Sequence, residues 1–172
     1  DNAYAGFPGG KLVAVALSNG AARWEATVAI PRGATELERV SDVIGQPAVS
    51  AREVCAVAFQ GRVACFDIAN GTLLWGRPLS SVSGLSADAR LVFVSDDRGA
   101  VHALDRSSGT SLWKQDRLGY RGPSAPLVQD QGIAVGDVQG FVHLLNRDTG
   151  AFAARAATDG TAITMAPVGS RT

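Results

Sequence analysis

Short apolar runs of five to seven residues alternate with glycine-containing polar breaks along the whole chain, as in "VCAVAF", "RLVFVS" and "GIAVGD". The runs are rich in valine, alanine and phenylalanine and are too short and too evenly broken to be helices, so they predict strands. Helical patterns of 10–15 residues between strands, which a parallel α/β domain needs, are not found. Each run is followed by an X-Gly pair, Gly9-Gly10, Gln60-Gly61, Arg98-Gly99 and Gln139-Gly140. This is the chemistry of a two-residue hairpin turn, because glycine takes the positive φ such a turn demands. The runs before and after each pair are therefore expected to lie antiparallel.

The pattern is periodic. "GKLVAVALSNGAARW" from Gly10, "GRVACFDIANGTLLW" from Gly61, "GAVHALDRSSGTSLW" from Gly99 and "GFVHLLNRDTGAFAA" from Gly140 are copies of one unit, starting 51, 38 and 41 residues apart. A second glycine stands ten positions into each copy, at Gly20, Gly71, Gly109 and Gly150. Four residues further on come Trp24, Trp75, Trp113 and, in the last copy, Ala154. Before the second glycine, Asp67, Asp105 and Asn146 can hydrogen-bond the backbone of a turn that the glycine completes. A meander of about four strands in roughly 40 residues matches one blade of a β-propeller. The fold class expected is thus all-β, four-stranded antiparallel blades with about four blades present. Repeated indoles at one position are expected to wedge between neighbouring blades, since repeat units cannot bury their faces alone. An immunoglobulin-like sandwich gives no reason for a recurring Gly-x9-Gly-x3-Trp.

Composition narrows the function. The chain has 172 residues, 46% of them apolar, and 16 basic residues balance 16 acidic ones. That is enough to bury a core, and it removes the electrostatic case for nucleic acid or an anionic membrane surface as partner. No apolar run is long enough to span a bilayer as a helix. His102 and His143 occupy equivalent repeat positions on different blades, which fits packing on a blade face better than a metal pair. Asp96, Asp97 and Asp137 beside glycine turns read as solvated turn acids. Cys55 and Cys65 have no zinc or redox-motif spacing. A two-residue turn at Gln60-Gly61 would set residue 56 opposite residue 65, leaving two free, buried thiols on opposite faces.

One segment departs from the repeat: "PRGATELERVSDVIGQP", 31–47, polar and bracketed by prolines. It reads either as a solvated connector, with a helical turn over Thr35–Val40 capped by Thr35, or as a patch of Glu36, Leu37, Arg39, Val40 and Asp42 suited to docking another protein. Long loops in compact repeat proteins are more often functional than decorative.

The motif Ala103-x-Asp105-x3-Gly109-x3-Trp113 resembles the tryptophan-docking motif of quinoprotein-type propellers, which form eight-bladed rings. Within that group, Gly33 to Pro47 is similar to the insertion of the BamB family, lipoprotein subunits of the bacterial outer-membrane β-barrel assembly machinery. Gly33, Thr35, Glu36, Arg39, Asp42, Val43 and Pro47 match; Val40 replaces leucine, and Ile44 stands where that family usually has a second aspartate. The resemblance implies a non-catalytic scaffold without a cofactor, at the periplasmic, inner face of the outer membrane of a Gram-negative bacterium. It implies binding to the POTRA domains of BamA, with Asp42 the central contact and Arg39 and Glu36 bracing the loop, and it leaves open capture of unfolded barrel substrates by strand addition. It also implies that the chain is about half of a ring, with the lipid-bearing cysteine before Asp1. Because an open half-ring exposes strand edges, the expectation is that two copies associate or that the N-terminal strands complete the C-terminal blade. The alternative is a fragment of a pyrroloquinoline-quinone dehydrogenase, for which calcium-ligating acids and an adjacent cysteine pair would be expected.

Overall fold

The computed structural model describes residues 1–30, 41–130 and 132–169, and its regular structure there is entirely β-strand. Strands β1 (Asn2–Phe7), β2 (Lys11–Ala16) and β3 (Ala22–Thr27) form a three-stranded sheet. Three four-stranded antiparallel sheets follow: β4 (Val43–Val49), β5 (Glu53–Ala58), β6 (Arg62–Asp67) and β7 (Leu73–Pro78); β8 (Gly84–Ala87), β9 (Leu91–Ser95), β10 (Val101–Asp105) and β11 (Ser111–Gln115); and β12 (Leu127–Gln129), β13 (Gly132–Gly136), β14 (Phe141–Leu145) and β15 (Phe152–Ala157). In each sheet neighbours in sequence are neighbours in space, so every sheet is a simple meander. The first two sheets make one compact unit, joined by the turn tip Ser107–Gly109, and the last two make another.

Inner strands are apolar because both their faces are covered. Val54 to Ala58 of β5 and Leu91 to Ser95 of β9 are all buried, whereas β2 alternates, with Leu12, Ala14 and Ala16 inward. The last strand of each meander carries the repeat's signature. Trp24 pairs with Ala14, Trp75 with Cys65 and Trp113 with Ala103, and the ladder slips by one residue immediately afterwards, as it also does at Ala154. This bulge twists the outer strand at the indole.

The indole then lies on the second glycine of the following copy. A Cβ on Gly71 would fall 2.6 Å from Trp24 Cε3, and one on Gly150 would fall 2.5 Å from Trp113 Cε3; Gly109 is pressed against Trp75 in the same way. The Trp24 Nε1–H donates to the Ile68 carbonyl at 3.1 Å and that of Trp113 to Arg147 at 2.8 Å, so the rings are buried without orphaning their one polar atom. All three tryptophans are 9% exposed. At about 25 cal/mol per Å², each indole is worth roughly 4–6 kcal/mol of burial.

The turn before that glycine is organised as its residues suggest. Asp67 Oδ1 accepts from the amides of Ala69 and Asn70, and Asn146 Oδ1 from those of Asp148 and Thr149. The equivalent Asp105 closes its turn through its own amide, which donates to Thr110 O at 2.7 Å.

Three expectations need correction. The hairpins after the apolar runs have three-residue loops, not two. Phe7 pairs with Lys11, Ala58 lies opposite Arg62 in the same register that pairs Val57 with Val63, and the Asp96 and Asp137 amides bond Ala100 O and Phe141 O. Because strand side chains alternate, this one-residue change sets Cys55 opposite Cys65 on one face, and the two form a disulfide instead of free thiols. Finally, β4 begins at Val43, so 43–47 of the segment taken as an inserted connector is strand; Ile44 pairs with Val57 and Ala48 with Cys55, the extra residues between them bulging out at Gly45, φ 70°. The expected helical turn over Thr35–Val40 lies outside the described residues.

Gly71→Ala and Gly20→Ala separate backbone from packing. Both glycines have φ near 70°, but nothing lies within 4 Å of a Cβ on Gly20. Gly20→Ala is expected to cost about 1 kcal/mol and Gly71→Ala at least about twice that in urea melts. Unreduced, denatured chain is expected to show no titratable thiol, and replacing both cysteines by serine to cost about 3 kcal/mol for a loop of this length.

Candidate functional site

Of the five residues expected from the sequence to dock a partner, Asp42 is the one whose environment the structure describes. It immediately precedes β4, is half-buried, and is held at both ends: its carbonyl accepts from Phe59 N at 2.9 Å and its Oδ1 from Gly9 N at 3.1 Å. The carboxylate thus closes the β1–β2 hairpin, and among the described residues its remaining oxygen has no hydrogen-bond donor. Glu36, Leu37, Arg39 and Val40 lie outside the described residues.

A second feature was not read from the sequence. Asp96 and Asp137 are not solvated: they are 8% and 0% exposed. Asp96 Oδ1 accepts from Arg98 N and Ala100 N, while Oδ2 takes a 2.8 Å bond from His102 Nε2. Asp137 repeats this with Gln139 N, Phe141 N and His143 Nε2 at 2.7 Å, and adds Arg121 Nε at 2.6 Å. Each carboxylate organises a three-residue turn and fixes a histidine across the hairpin. A carboxylate only accepts, so Nε2 of each histidine carries the hydrogen. The signal was present: Asp-x5-His recurs at 96/102 and 137/143, while both positions are apolar in the first two copies, Phe7 and Val13, Ala58 and Ala64.

Burial pushes the Asp137 carboxyl up, but the His143, Phe141, Arg121 and Gln139 donors outweigh it and hold the pKa at about 2. Asp96 is lowered likewise, burial opposing and His102 and the Ala100 amide prevailing. Among the described residues no group of three or more His, Cys, Asp or Glu could hold a metal ion.

Repeated antiparallel meanders joined by an indole seated on a glycine define a quinoprotein-like β-propeller. The family model described as outer membrane protein assembly factor BamB matches residues 1–115, and the chain belongs to that family. It is 46% identical over 164 residues to the outer membrane protein assembly factor BamB of Burkholderia pseudomallei, covering 95% of this chain and 43% of the relative, and 44% identical to that of Bordetella pertussis, covering 94% and 42%. The crystal structure of BamB from Moraxella catarrhalis superposes with a TM-score of 0.85 at 33% identity, over 94% of this chain and 49% of that one. The chain therefore spans about half the length of the curated relatives it matches. Quinohemoprotein alcohol dehydrogenase from Comamonas testosteroni has a TM-score of 0.71 at 14% identity, covering 91% of this chain and 33% of its own, a likeness of fold alone.

A carboxylate with a depressed pKa stabilises the fold above its unfolded value and loses that contribution as pH falls through its folded value. Asp137 is therefore expected to supply on the order of 2 kcal/mol that disappears between about pH 4 and pH 2. Urea melts across that range should show a shallower pH dependence for Asp137→Asn than for the unaltered chain.

Proposed function

We propose that the chain serves as a non-catalytic scaffold in outer-membrane protein assembly, docking onto the POTRA domains of BamA through the segment around Asp42. Family membership supports the setting, and the observation that carries the docking site is the Asp42 carboxylate, anchored by one oxygen at the mouth of a polar insertion that interrupts an otherwise regular repeat. A negative group held in place loses little entropy on meeting a basic partner, which is how charge complementarity gives register and on-rate. The Cys55–Cys65 disulfide fits an oxidising compartment such as the periplasm.

The same bond dictates the choice of variants. Asp42→Asn keeps an acceptor for Gly9 N and removes the charge; Asp42→Lys reverses it. In titrations with purified POTRA domains, Asp42→Asn is expected to weaken binding about tenfold and Asp42→Lys further, with melting temperature nearly unchanged for Asp42→Asn. Wild-type affinity in both variants would remove Asp42 from the interface. Added pyrroloquinoline quinone and calcium are expected to produce no visible-absorbance shift.

A further inference from the structure

Residues 116–126 join β11 to β12 and make a longer connection than 79–83, which join β7 to β8. The connection holds two overlapping turns, in which Gly119 N donates to Asp116 O and Arg121 N to Leu118 O, each at 3.0 Å. Leu118 is buried in the core of this unit and anchors both turns. Tyr120 occupies the third position of the second turn with φ 64°, where a bulky side chain is strained and glycine is the usual choice. Its ring is fully exposed, so no packing offsets that strain. A costly backbone conformation whose side chain does nothing for the fold marks a group kept for contact with something else.

The surroundings define the chemistry of that contact. Val138 adjoins the turn, its amide donating to Arg121 O at 3.0 Å and its side chain exposed; the third copy has Asp97 at this position. The same turns form one wall of a cavity of about 390 Å³ and the start of β15 forms another, with Arg117, Arg121 and Arg155 among the described lining residues and no carboxylate. Asp137 offsets the charge of Arg121 through a 2.6 Å bond. Arg117 and Arg155 are exposed and have no ion-pair partner among the described residues. Each is instead stacked on a ring, Arg117 over Phe152 at 5.4 Å and Arg155 over Phe141 at 4.7 Å. Guanidiniums already oriented in this way lose less entropy on meeting carboxylates, which they bind through paired N–H groups.

We propose that this surface docks an acidic segment of a partner protein, with Tyr120 and Val138 receiving its apolar side chains and Arg117 and Arg155 its carboxylates. Tyrosine and arginine are the residues that most often anchor protein interfaces. An anionic membrane or a nucleic acid needs a broad basic face, whereas 16 basic residues here balance 16 acidic ones and the cationic spot is local. Its sign is opposite to that of Asp42, so the two surfaces select different segments and can be tested separately.

A suitable probe is a short peptide of glutamates flanking two leucines, compared with the same peptide carrying lysines for glutamates and with phosphatidylglycerol vesicles. NMR titration of the full 172-residue chain is expected to show saturable binding of the acidic peptide, with shifts at 117–121, 138 and 152–155 that weaken as salt is raised. The lysine peptide should not bind. Arg117→Gln with Arg155→Gln should weaken binding about tenfold, and Arg117→Lys with Arg155→Lys should restore part of it. Tyr120→Gly should weaken binding several-fold while raising the melting temperature by about 2 °C, because strain is released and no contact is lost. Absence of saturable peptide binding, unchanged affinity in the glutamine or glycine variants, equal binding of the lysine peptide, a lower melting temperature for Tyr120→Gly, or tighter binding to vesicles than to peptide would each overturn the assignment.

Discussion

The structure depends on one contact, an indole face laid on the α-carbon of a glycine in the next copy of the repeat. Each meander has apolar residues on both faces and cannot satisfy them alone. Trp24 against Gly71, Trp75 against Gly109 and Trp113 against Gly150 supply the close fit. The contact has three requirements at once: a large flat ring, a position with no Cβ, and a positive φ that turns the backbone toward the ring. The bulge beside each tryptophan and the side-chain-bonded turn before each glycine are the local means of meeting them.

Short side-chain oxygens do two kinds of work around this frame. Asp67 and Asn146 close turns beside the indoles. Asp96 and Asp137 close the opposite hairpins and, being buried, also capture a histidine. An aspartate before a glycine turn looks the same in either case, and only burial separates them: the solvated acid needs no further donor, whereas the buried one must find enough donors to offset its lost hydration. In the fourth copy that requirement recruits Arg121 and, with it, a cationic cavity.

Where the repeat is interrupted, Asp42 has a structural part beside the docking part proposed for it. Its bond to Gly9 N ties the end of the insertion to the first hairpin, so the segment enters β4 in a fixed register. Ile44, standing where a second acid is usual in the family, pairs within the sheet opposite Val57, which is compatible with an apolar side chain.

The spacing of glycines, tryptophans and apolar runs determined the all-β class, the four repeat units and the wedging of indoles between meanders, because each rests on a local pattern repeated until coincidence is implausible; that the indole seats on the next copy's glycine only the structure decided. The insertion was legible for the same reason, as a break in a period. Hairpin loop length was not, since Gln60-Gly61 is compatible with two-residue and three-residue turns alike, and it is the pairing of whole strands that chooses between them. That choice put Cys55 and Cys65 face to face. Burial of Asp96 and Asp137, and the gathering of Arg117, Arg121 and Arg155 around His143, likewise belong to tertiary structure, because they join residues whose proximity arises only when strands from one meander and the segment leading into it are packed together.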